Sequence, residues 1–69
     1  MNKLEFLQKI ETLAEELGFY GYVSEEALEH ELTVNEDKIF AASNICAYFS
    51  DQDGGEASDE LFDAILEEL

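Results

Sequence analysis

Ile39-Phe40-Ala41-Ala42-Ser43-Asn44-Ile45-Cys46-Ala47-Tyr48-Phe49-Ser50 is a run of twelve uncharged residues in a chain that is 30% charged. Its apolar residues occupy more than one helical face, the pattern of a helix surrounded by others. The run therefore predicts a central helix over about 36–50. Thr33 and Glu36 at capping-box spacing, or Asn35 as a competing cap, would start it. Ile39, Phe40, Cys46 and Phe49 are expected to pack against Leu7, Ile10 and Leu66.

Outward from this run, the remaining segments supply its surroundings. Leu4, Leu7, Ile10, Leu13, Ala14 and Leu17 recur at 3-4 spacing, an amphipathic helix over about 3–17. Asn2 is placed to cap its start and Gly18 its end. Ser24 begins a short acidic helix to about residue 31. Ser58 begins a last one over about 58–68, with Leu61, Phe62, Ile65, Leu66 and Leu69 on its apolar face. The reading is an all-α single domain over 1–69, a small bundle of about four helices. A small α+β alternative would pair brief strands near 19–23 and 32–34.

The chain is predicted to fold despite its charge. Leu, Ile, Val and Phe make up 20 of 69 residues, about 29%, above the roughly 20% below which disorder is expected. A core this small seldom supplies more than about 3–5 kcal/mol. One cysteine excludes an internal disulfide, and one Cys with one His cannot build a zinc site. Tight helix packing or a homodimer must stabilise the fold instead.

Eighteen residues are Asp or Glu and three are Lys, a formal net charge of −15. From Ser24 onward there are 14 acids against Lys38 alone. Such self-repulsion opposes a compact state. Some acids have a local reason: Glu25, Glu26, Glu36, Asp37, Asp59 and Glu60 fall in first helical turns, where the macrodipole favours anions. Others do not. Glu15, Glu16, Glu67 and Glu68 occupy last turns, and Glu11/Glu15, Glu25/Glu29, Asp59/Asp63 and Asp63/Glu67 are like-charge i,i+4 pairs.

On one helix, Asp59, Asp63 and Glu67 would stack at about 6 Å of rise per step, comparable with the separation of neighbouring phosphates on a nucleic-acid strand. Glu56 and Glu60 widen this strip, and Glu25, Glu26 and Glu29 form a second row. Such a surface would compete for the Lys and Arg clusters that neutralise phosphates. The plainer reading is a solvated acidic face.

Size, charge, helical pattern and the lack of catalytic residues resemble the small phage-encoded DNA-mimic inhibitors, the anti-CRISPR and anti-restriction proteins. The resemblance implies a basic nucleic-acid-binding partner, a CRISPR effector subunit or a restriction enzyme. Tyr20 and Tyr22 are expected in packing and as aromatic contacts to that partner.

Other functions find less support. The loop from Asp51 to Leu61 looks like an EF-hand but has Glu56 where Gly is needed and Phe62 where a bidentate Glu is needed. It leaves weak calcium association as the most it offers. Cys46 reads as a buried thiol and His30 as a surface residue. No phosphate loop, dinucleotide fingerprint or nucleophile elbow is present, so neither an enzyme nor a cofactor is expected. With three cations in all, direct nucleic-acid binding is not expected. Met1–Leu17 is too acidic for a signal peptide, no run approaches the length of a membrane span, and a lone cysteine fits a reducing interior. These features predict a cytoplasmic protein. The rival in a different class is a small helical adaptor that docks a partner through an apolar face.

Overall fold

The computed structural model describes residues 2–55 and 57–69. Four helices carry most of the chain: α1 (Lys3–Glu16), α2 (Glu25–Val34), α3 (Lys38–Cys46) and α4 (Asp59–Glu68). Two strands of two residues each, β1 (Tyr20–Gly21) and β2 (Phe49–Ser50), form an antiparallel pair with Tyr20 opposite Ser50 and Gly21 opposite Phe49. The architecture is the expected small helical bundle, with this minimal sheet added.

The helix ends follow from local chemistry. The Asn2 side chain accepts the Glu5 N–H at 3.1 Å and Ser24 Oγ accepts the Ala27 N–H at 3.0 Å. Both satisfy amides that a helix start leaves unpaired. At the end of α1, Gly18 adopts φ +83°. Its N–H reaches Glu15 O at 3.1 Å, and the Phe19 N–H reaches Ala14 O at 2.8 Å. That pair of bonds is the Schellman arrangement, and it turns the chain towards β1. Ser58 holds the N-cap position of α4, but its side chain makes no capping bond.

Several boundaries differ from the sequence reading. α2 continues to Val34, so residues 32–34 are helical and not a strand. The cap of α3 is Asp37, whose carboxylate accepts the Ile39 N–H at 2.7 Å, and neither Thr33 nor Asn35. Asn35 instead closes α2, donating from its side-chain amide to Glu31 O at 2.8 Å. The uncharged run is helical only to Cys46, and Phe49 and Ser50 leave it to pair with β1. The strand near 19–23 therefore exists, but its partner is 49–50.

α3 is the most buried helix, through Ala41, Ala42, Ile45 and Cys46, with Phe49 just beyond it. These positions form one stripe, i, i+1, i+4, i+5 and i+8. Ile39 and Phe40 lie off that stripe and are 56% and 65% exposed, contrary to expectation. Apolar residues on two faces of a helix do not bury both. The small Ala41 and Ala42 take the buried side, and the larger side chains at 39 and 40 face out. Ala42, Ile45, Cys46 and Phe49 join Phe6, Ile10, Ala14, Val23, Leu28, Leu61 and Ile65 in one contiguous core, against which Leu7 and Leu66 are partly buried.

The strand pairing depends on Gly21, at φ +149°. A Cβ there would overlap the Tyr48 carbonyl oxygen and sit 2.8 Å from Phe49 Cα. Gly21→Ala is therefore expected to cost more than about 1 kcal/mol and to separate β1 from β2. Thermal melts and amide exchange at Phe49 and Ser50 check this; a melt and protection equal to wild type would contradict it.

Candidate acidic interface

α4 sets the orientation of its acids by helical geometry alone. Leu61 and Ile65 are fully buried, which turns Asp59, Asp63 and Glu67 outward, and all three are exposed, as is Glu60. The helix is continuous from Asp59 to Glu68, so the three carboxylates follow one line at about 6 Å of rise per step. No lysine pairs with any of them among the described residues. Glu56, expected to widen the strip, lies outside the described residues.

The two ion pairs among the described residues sit elsewhere. Lys9 Nζ meets Glu68 Oε1 at 2.5 Å and ties α1 to α4; Lys3 Nζ lies 3.6 Å from Glu29 Oε1 and ties α1 to α2. The hydrogen bond and charge of Glu68, with the field of Glu67, raise the Lys9 pKa above its ordinary 10.5. What this pair contributes is complete below pH 10.5 and is lost only as pH climbs past that raised value. Lys9 therefore neutralises Glu68, on the flank of the strip, at every physiological pH.

The second acidic row does not join the first. α1 and α3 each pack against both α2 and α4, which leaves α2 and α4 on a diagonal. Glu25, Glu26 and Glu29 are exposed on α2, but Glu29 is engaged by Lys3, and the row forms a separate surface.

The acidic loop after β2 is tied to itself. One oxygen of Asp51 accepts the N–H groups of Asp53 at 2.8 Å and Gly55 at 2.7 Å, and Gly54 turns at φ +80°. That carboxylate holds the turn closed, and among the described residues no cluster of three or more His, Cys, Asp or Glu could hold a metal ion. His30 is exposed and Cys46 is buried. No helix among the described residues is long and apolar enough to cross a membrane.

Two surface features were not foreseen. Tyr48, in the turn before β2, is 39% exposed, and Tyr20 and Tyr22 are 58% and 67% exposed. Phe19 packs on the core and Val23 is buried, and Tyr20 and Tyr22 between them face out, as partner contacts require, whereas no local pattern marks Tyr48. Separately, Val34 at the end of α2 and Ile39 and Phe40 at the start of α3 are exposed apolar residues.

Fold and surface together define a small acidic helical domain with carboxylates ordered along one helix. Comparison of the chain with protein-family models, curated proteins and solved structures finds no match.

Among the described residues fourteen acids are exposed and two ion pairs form, so mutual repulsion should outweigh the pairs. Raising sodium chloride from about 10 to 150 mM shortens the screening length from about 30 to 8 Å and is expected to raise Tm. A Tm that falls over this range would show that the Lys–Glu pairs dominate.

Proposed function

We propose that this protein is a non-enzymatic inhibitor that presents the α4 carboxylates to a basic nucleic-acid-binding surface of another protein. The observation that carries the reading is the line of exposed Asp59, Asp63 and Glu67, unpaired with lysine among the described residues, on a helix whose opposite face is buried. A rigid array of anions meets Lys and Arg side chains without the ordering cost of a flexible acidic tail. Overall charge steers encounter with a basic target. The same charge repels nucleic acid and anionic membrane, so inhibition proceeds by occupying the protein. A CRISPR effector subunit or a restriction enzyme is the partner class in view, and the site of action is then the host cytoplasm. The test is competition for DNA binding by such purified targets. Inhibition that weakens steeply with salt supports the reading, and salt-independent inhibition rejects it.

The exposure of Val34, Ile39 and Phe40 near the α2–α3 connection favours a second reading, an adaptor that docks through apolar side chains there. The same competition separates the two: loss of partner binding in Phe40→Ser, with no effect of reversing the α4 acids, would select the adaptor.

A further inference from the structure

We infer that a cleft between the end of α3 and the start of α4 holds the side chain of one arginine or lysine of the basic partner. Its volume is about 320 Å³, at the small end of the roughly 300–1,000 Å³ typical of ligand pockets. One long side chain suits that size. Phe49, Phe62, Ala47 and Ala57 give the cleft an apolar lining, with Phe49 buried and Phe62 partly buried. Asp59 lines it too, and no other charged residue does.

The field at the cleft favours a cation. Ser43 and Cys46 in the last turn of α3, with Ala47 as its cap, border it. That end of a helix carries partial negative charge, and the last turn of α3 has no basic residue to offset it. α4 begins on the other side, and its positive end opposes this field with about half a unit charge. The carboxylates of Asp59 and Glu60 in its first turn exceed that.

Apolar lining beside an anionic end matches a side chain with an aliphatic stem and a charged head. A metal ion does not fit, since no cluster of three or more ligating side chains exists among the described residues. A second copy would bring another −15 to the contact. Asp59 also begins the line that Asp63 and Glu67 continue, so the cleft extends the surface already proposed to face the partner. The inference deepens the proposed function by placing one of the partner's cations, and it rests on the partner being basic.

Acetylarginine amide and its neutral counterpart acetylcitrulline amide are titrated into the isotope-labelled full chain at physiological salt, with backbone amide shifts as the readout. Saturable shifts are expected at Ser43, Ala47, Gly54 and Gly55, which line the cleft. The arginine derivative should bind at least about fivefold tighter than the citrulline one. Ala47→Phe fills the cleft from an exposed position without changing net charge, and it should abolish these shifts. Asp59→Asn should remove the preference for arginine. Should Ala47→Phe fail to fold by circular dichroism, Ser43→Leu, also at an exposed position, takes its place. Shifts centred on Asp63, Glu67 and Glu25, equal binding of the two derivatives, or binding retained in a folded, filled variant would overturn the inference. In the DNA competition the filled variant should inhibit about fivefold less well than wild type. Inhibition equal to wild type would remove the cleft and leave the α4 strip. Arginine binding in the cleft without any inhibition by wild type would remove the strip and leave the cleft.

Discussion

Ile45→Ala should leave most of the chain unfolded at room temperature, while Phe40→Ala should melt close to wild type. Ile45 is 0% exposed at the centre of the α3 stripe. Truncating a fully buried isoleucine costs about 2–5 kcal/mol, since the cavity adds to the lost transfer energy. A core of this size supplies only about 3–5 kcal/mol in total, so one such loss is enough. Phe40 is 65% exposed, and a surface substitution of that kind stays within about 0.5 kcal/mol. Denaturant titration followed by circular dichroism reads both. A Phe40→Ala variant that unfolds alongside Ile45→Ala would mean that the outer face of α3 is buried, in a homodimer for example.

That contrast marks where the sequence was legible. Asn2, Gly18 and Ser24 act at the helix ends their chemistry indicated, because a cap is a local event within three or four residues. The stripe of α4 was readable because charged residues outline it, whereas on α1 the spacing correctly chose Ile10 and Ala14 but took in Leu4, which is 58% exposed, and passed over Phe6, which is buried. α3 offered no such outline. With apolar side chains on both faces, nothing local shows that the Ala41 and Ala42 side takes the core and the Phe40 side is left out. The pairing of β1 with β2 was hidden for a related reason. It joins residues nearly thirty apart in sequence, and its requirement, a missing Cβ at Gly21 against the Tyr48 carbonyl, is a tertiary contact.

The acidic surface was legible as spacing but not as electrostatics. Four-residue steps fix Asp59, Asp63 and Glu67 on one side of α4 whatever surrounds it. Which acids are spent on the fold is decided by neighbours distant in sequence: Lys3 reaches Glu29, and Lys9 reaches Glu68 from the opposite end of the chain. Asp51 is likewise occupied with its own loop, through amides that only the folded turn brings near.

The second large effect is functional. Asp59→Lys/Asp63→Lys/Glu67→Lys should lose inhibition of DNA binding by at least about a hundredfold, if each reversed contact is worth about 1–3 kcal/mol as a charged hydrogen bond. The fold should survive. The three side chains are exposed, and Asp59→Lys opposes the helix dipole by only about 0.3–1 kcal/mol, while Glu67→Lys in the last turn is favoured by a similar amount.

Net charge alone would also fall, from −15 to −9 (three changes of two units each). Glu5→Lys/Glu11→Lys/Glu15→Lys on exposed positions of α1 makes the same change elsewhere. The decisive measurement is therefore a gel-shift competition, at fixed ionic strength, of wild type and these two triple variants against purified CRISPR effectors and restriction enzymes. An ordered strip predicts that the α1 variant stays within a few-fold of wild type while the α4 variant is inactive. Equal loss in both variants, or full inhibition by both, would contradict a phosphate-like array on α4.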